Sequence, residues 1–358
     1  MKNLLVGTIS LLLVNIACTS ENGTKDSIPE LVKVDSLVLQ PDSLHLFGMF
    51  YEDFKINTQG NKLAFYDRIK EKVFVFDRKG QFKQVYGENN KGPNGILNVA
   101  GYDFISSGNI AILDMRQQLL KIFGQNGEVI KSSPVFEDEK FFYSGSEFLI
   151  YKDEIYLPIV DGNFYNNPNP DSSSLIGKLD LNGNFIKTFG KYDPFLGIDN
   201  QYMLDNNFDI TNTGIIYTNL SSSYNIRYYD LNDYSYLGSF GVQFPSFSLP
   251  KKEVKLNLPI SEINKRMTGT STTYSIHSTE NYFVQHVQVL TEEWFENVNN
   301  EDKDNLLVLY DMETKELLGE IHTSYTLGTV HKNQLYMIED FNPDNYTIGI
   351  YELVTKEQ

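Results

Sequence analysis

The chain has 358 residues, a formal net charge of −17 and a single cysteine, Cys18. Its length suffices for a sizeable buried core. The acidic balance speaks against nucleic acid as a partner, which needs clustered Lys and Arg, and a lone thiol excludes an internal disulfide framework.

At the N-terminus, Lys2 precedes a mostly apolar run from Leu4 to Ala17. The run is shorter than the roughly 20 residues that span a bilayer. A basic start, a short apolar stretch and a small residue before the cut describe a secretory signal. Residues 1–17 are read as that signal, with Cys18 next. "NIACTS" resembles a bacterial lipobox, which implies acylation of the Cys18 thiol and a lipid anchor. An ordinary signal peptide is the plainer alternative, and the absence of any other cysteine favours the anchor. Residues 18–30 are polar and read as a flexible tether. The triplets Asp26-Ser27-Ile28, Asp35-Ser36-Leu37 and Asp42-Ser43-Leu44 resemble an O-glycosylation acceptor motif of Bacteroidetes envelope proteins.

From Leu31 onward, short apolar runs alternate with polar residues and 13% of the chain is aromatic. That is a β pattern. "LVKVDSLVL" (31–39) is a lone strand. "YEDFKI", "NKLAFYDRIKEKVFVFDRKGQFKQVYG" (61–87) then form a four-stranded unit, and "VAGYDFI" with "GNIAILDMRQQLLKIFGQNGEVIKSS" (108–133) repeats it. "DEIYLPIVD" with "LIGKLDLNGNFIKTFG" is a third copy, "GIIYTNL" with "NIRYYDLNDYSYLGSFG" a fourth, and "NYFVQHVQVL" with "LLVLYDMETKELLGEIH" a fifth. The sixth, "NQLYMIED" with "TIGIYELV", stops one strand short. Asp67, Asp114 and Asp161 close the second strand of their units at a constant step of 47. Four-stranded repeats of this length mark propeller blades. The expected fold is all-β: one six-bladed β-propeller over residues 31–358, with the N-terminal strand completing the last blade and removing an open edge. Residues 242–273, with Pro245, Pro250 and Pro259 and no paired-strand pattern, read as an insertion between blades.

The stretch 86–132, with its Gly-rich entry, Pro93, "GNIAILD" and "FGQNG", resembles an NHL-type blade. Together with the Cys18 motif, the chain resembles the six-bladed, NHL- or TolB-like propeller lipoproteins of Bacteroidetes. That resemblance implies a fold and a cell-envelope address, anchored to a membrane, rather than an activity.

Tight turns rich in Gly, Asn and Asp join the first strand to the second and the third to the fourth in each unit. The long connections fall on the opposite face, which is the expected binding face. Aromatic rings there, among Asn and Asp, suit a sugar ring or a peptide: Phe164, Tyr165, Tyr192, Phe341, and above all Trp294 with Phe295. Arg68 and Arg116 are candidates for an acidic ligand group. Asp67, Asp114, Asp161 and Asp340 offer oxygen ligands for Ca²⁺, against the simpler reading that each caps its own turn. No catalytic motif is present, and no cofactor is expected beyond that Ca²⁺ reading. Two functions stay open. One is a non-catalytic binding module for a glycan, a peptide or an envelope protein. The other is a Ca²⁺-dependent, lactonase-like hydrolase with a central-channel site.

Overall fold

The computed structural model describes residues 28–40, 47–87, 92, 94–135, 141–143, 147–161, 174–191, 205–250, 254, 258–297, 304–342 and 346–355. Cys18 and the other signal and tether residues before Ile28 lie outside them, as do Phe164, Tyr165 and Tyr192.

Six antiparallel sheets follow one another along the chain. The first strand, β1 (Glu30–Val38), stands apart from the sheet that follows it. Blade 1 is β2 (Phe50–Ile56), β3 (Lys62–Asp67), β4 (Lys72–Asp77) and β5 (Phe82–Tyr86); blade 2 is β6 (Val99–Phe104), β7 (Ile110–Asp114), β8 (Leu119–Phe123) and β9 (Val129–Pro134). Blade 3 has a split inner strand, β10 (Phe141–Tyr143) and β11 (Leu149–Tyr151), both paired to β12 (Glu154–Asp161), then β13 (Ser174–Leu179) and β14 (Phe185–Lys191). Blade 4 is β15 (Asn206–Ile210), β16 (Ile215–Leu220), β17 (Ile226–Asp230) and β18 (Tyr236–Phe240). Helix α1 (Ile260–Met267) occupies part of the expected insertion, and blade 5 begins inside its last residues with β19 (Ser271–Ser278), followed by β20 (Tyr282–Val289). Helix α2 (Glu292–Asn297) then precedes β21 (Asp304–Asp311) and β22 (Leu317–Thr323). Blade 6 is β23 (Thr326–His331), β24 (Gln334–Asp340) and β25 (Thr347–Val354).

The missing outer strand of blade 6 is β1. It pairs antiparallel with β25 from Glu30↔Val354 to Val38↔Thr347, with a bulge between Lys33 and Asp35. The propeller expected from the repeat, closed by its N-terminal strand, is the observed fold.

Why the strands read as they do follows from their place in the ring. A middle strand has a neighbouring blade on both faces, so β3, β4, β7 and β8 are buried almost throughout. An outer strand meets solvent, and β9 alternates half-buried with exposed. Six apolar clusters fill the six blade-to-blade interfaces in turn. The interface between blade 6 and blade 1 is the most aromatic: Phe47, Phe50, Phe54, Phe65, Phe74 and Phe76 of blade 1 and its entry pack against Tyr336 and Tyr346 of blade 6. Phe54 stacks on Phe65 with centroids 4.4 Å apart, and Phe50 meets Tyr346 edge-on at 5.3 Å. Such pairs add about 0.5–1.5 kcal/mol each beyond their buried area.

The turn glycines are needed for space as well as for angle. Gly80 has φ +74°, and a Cβ there would lie 2.1 Å from the Val38 carbonyl oxygen of the closing strand; Gly183, at φ +79°, would meet the Pro134 carbonyl at 2.5 Å. The third-to-fourth-strand turn of one blade thus rests on the end of the preceding blade's outer strand.

Candidate functional site

The Asp that ends the second strand of a blade holds two segments together. Asp67 is fully buried. Its Oδ1 accepts the N–H groups of Ile69 and Lys70 (both 3.0 Å) in its own turn and of Met49 (3.2 Å), and its Oδ2 accepts that of Gly48 at 2.5 Å. Asp114 repeats this. It accepts from Arg116 N and Gln117 N (both 3.1 Å), from Leu97 N (2.8 Å) in the connection entering blade 2, and from Gln117 Nε2 (2.9 Å). Asp340 accepts the N–H of Asn342 at 2.8 Å. The Asp161 side chain lies outside the described residues. Oxygens engaged this way are not presented to a cation. Among the described residues, no three His, Cys, Asp or Glu side chains converge closely enough to hold a metal ion, so Asp67, Asp114 and Asp340 do not fit the Ca²⁺ site.

The aromatic candidates divide. Phe295 is half-buried and packs under α1 with Val254, Ile263, Met267 and Leu290. Phe341 packs on the blade 6–blade 1 core, edge-on to Tyr346 at 5.9 Å. Trp294 lies in α2, and its side chain is outside the described set. Arg68 and Arg116 are exposed, one residue and two residues past their Asp caps. Among the described side chains, Phe295 and Phe341 belong to two different apolar clusters. The long-loop face does carry a cleft of about 430 Å³ beside α1, lined by residues that include Ser248, Leu249, Lys265 and Arg266.

What the ring does bring together lies at the opposite, tight-turn end of the channel. Lys55, Asp103, Asp209 and His277 each occupy the second-to-last paired position of an inner strand, opposite Ala64, Ala111, Tyr217 and Val284. The same register in four blades aims four charged or titratable side chains at the axis. Glu147 joins them from blade 3, just before β11, and Asp53 from blade 1. With Ser275 and Thr329 they line a cavity of about 150 Å³ that all six blades border.

Its electrostatics are unbalanced. Lys55 Nζ lies 3.8 Å from Glu147 Oε2. Burial disfavours the Lys55 ammonium, but Glu147, Asp53, Asp103 and Asp209 together outweigh it and hold its pKa above the ordinary lysine value. The carboxylates are less well served. Burial pushes Glu147 up to about 7, with Lys55 opposing and the other three carboxylates assisting. Burial likewise raises Asp103 to about 6, although Lys55 and the N–H groups of Ile150 and Phe104 favour its charged form. Asp209 is raised by burial against the Ser278 hydroxyl and N–H that it accepts. His277 is held down to about 3 by burial, then by Lys55 and His286, so it is a neutral imidazole at pH 7; its Nε2 is 3.2 Å from Ser275 Oγ.

Two of these carboxylates also tie blades together. Asp103 Oδ2 accepts the Ile150 N–H of blade 3 at 2.9 Å, and Asp209 Oδ2 accepts the Ser278 N–H of blade 5 at 2.7 Å. At the far end of the inner strands, blades 4 and 5 are cross-linked by uncharged groups: Asn207 Nδ2 donates to the Thr273 carbonyl (2.8 Å) and Thr273 Oγ1 to the Ser223 carbonyl (3.1 Å). The charge is concentrated at one mouth.

Sequence reading missed this cluster. Its signal is one charged or titratable residue in "FKI", "YDF", "FDI" and "SIHS", always just ahead of a tight turn.

The molecule is thus a six-bladed β-propeller with a charged cavity on its axis. Among solved structures it is similar to a member of the DUF4221 family from Bacteroides vulgatus, with TM-score 0.73 and 14% identity, covering 93% of this chain and 100% of that one. It is also similar to a "Putative exported protein" from Bacteroides fragilis, with TM-score 0.60 and 15% identity, covering 94% and 98%. At such identities the likeness shows the fold. Both come from the bacterial group to which the sequence resemblance pointed. No protein-family model and no curated protein matches the chain. Among the described residues no helix is long and apolar enough to cross a membrane.

Proposed function

We propose that the protein is an exported, non-catalytic binding module, held to an envelope membrane through Cys18. Its channel cavity takes the end group of a glycan or peptide. The observation that carries this is the convergence of Lys55, Asp103, Glu147, Asp209 and His277, from five blades, on one cavity. Charges so placed cost desolvation that a packed apolar plug would avoid. Clefts that keep perturbed ionisable groups are where ligands are sought. Carboxylate oxygens, a neutral imidazole and one ammonium suit a group rich in hydrogen-bond donors, either a hydroxylated ring or a protonated amine. A volume near 150 Å³ admits one such group rather than a chain of them.

The Bacteroides fragilis neighbour's printed name and the apolar run before Cys18 support export. The cleft beside α1, on the opposite long-loop face, offers a contact for a separate ligand. The test is a thermal-shift screen of the purified protein with short glycans and with peptides ending in Lys or Arg. A ligand at about 100 times its dissociation constant should add roughly 2.7 kcal/mol, and Asp209→Asn should abolish the shift. Binding that survives both Asp209→Asn and Asp103→Asn would move the site elsewhere.

A further inference from the structure

The channel places four carboxylates, Asp53, Asp103, Glu147 and Asp209, around one ammonium, Lys55. With all of them ionised the cavity carries three negative charges more than it can pair internally. Asp103 and Asp209 cannot turn away, because each is fixed by an N–H of the next blade. The remaining neighbours do not correct the imbalance. His277, from β19, is neutral, and β23 contributes Thr329 and Val330, which carry no charge.

Each of these side chains stands on the inner strand of its blade or, for Glu147, next to it. Repulsion among them therefore acts across the axis, against the contacts that close the ring.

We infer that this cluster is a proton-linked clasp: as the medium turns mildly acidic the cavity takes up a proton, centred on Glu147, and the closed ring becomes more stable. Glu147 is the acceptor because it is buried beside three other carboxylates, with Lys55 the cation that opposes them among the described residues. Asp103 and Asp209, in contrast, each have an N–H of the next blade favouring their charged form. The sign follows from linkage. A carboxyl whose folded pKa lies above its unfolded value binds more protons when folded, so its stability is fully present below the unfolded value and is lost as pH rises from there to the folded value. For Glu147 that loss runs from the ordinary value of 4.5 up to about 7, where it is complete, and for Asp103 from 3.8 up to about 6. The clasp belongs to the ligand-free protein and does not depend on the channel holding a glycan or peptide.

Two measurements on the ligand-free protein test it. Carboxyl ¹³C NMR of the Glu-labelled protein should show one resonance titrating close to neutrality, absent from Glu147→Gln. The melting midpoint should fall between about pH 4.5 and 7 and level off above that, and the fall should shrink by at least half in Glu147→Gln. Lys55→Met should move the surviving Glu titration further up, since the one cation opposing it is gone; a merely structural Lys55 would leave it in place. If every Glu titrates in the ordinary carboxyl range, or if Glu147→Gln melts with the wild-type pH slope, the clasp is wrong. A failed ligand screen leaves both readouts untouched, so the two ideas fail separately.

Discussion

Removing the Asp67 carboxylate should show what the repeated Asp does. In Asp67→Ala, four N–H groups lose their acceptor: Ile69 and Lys70 in the turn, Gly48 and Met49 in the segment that leads from the closing strand into blade 1. A hydrogen bond to a charged group contributes about 1.5–3 kcal/mol net. The full sum will not be lost, because Met49 and Ile69 are exposed and water can reach the amides beside them. Gly48 is half-buried, and a Cβ on it would lie 2.7 Å from Asp67 Oδ1, so that close approach leaves little room for a replacement. A loss of about 2–4 kcal/mol is expected, read by urea denaturation. Faster hydrogen exchange at Gly48 should accompany it. Asp67→Asn, with one acceptor oxygen kept, should fall between. A loss under about 0.5 kcal/mol, the range of ordinary surface substitutions, would refute the view that this Asp joins turn to entry segment.

Three further outcomes are expected. Gly80→Ala should cost at least about 1 kcal/mol in the same denaturation assay, because it strains a positive φ and drives a Cβ into the Val38 carbonyl of the closing strand. Phe295→Ala should cost about 1–3 kcal/mol as a packing residue under α1 while leaving ligand binding in the channel unchanged. Excess Ca²⁺ after EDTA should leave the melting midpoint where it was, given the engaged oxygens of Asp67 and Asp114. An upward shift would reopen the hydrolase reading.

Sequence reading and structure part company at identifiable residues. The step from Asp67 to Asp114 to Asp161 located second-strand ends correctly, since β3, β7 and β12 end on them. The lone strand before blade 1 was matched to the gap in blade 6, and β1 fills it. These succeed because alternation, turn residues and a caps-and-strand repeat are local. Blade 3 shows the limit: its inner strand is broken into β10 and β11, with no clean alternation to announce it. Binding was expected on the long-loop face because loop length and aromatic residues are visible in a sequence. Phe295 and Phe341 instead pack onto apolar clusters, which composition cannot distinguish from display.

By itself, the sequence determined the strand pattern, the number of blades, the closure and the turn chemistry, all of which follow from interactions within one repeat or from a strand left over. Only the tertiary structure decided that Lys55, Asp103, Glu147, Asp209 and His277 share one cavity. They are scattered over more than half the chain, and none has another of the five near it in sequence. Their meeting depends on how six similar sheets are arranged about an axis, so the excess charge in the channel belongs to the ring and to none of its blades.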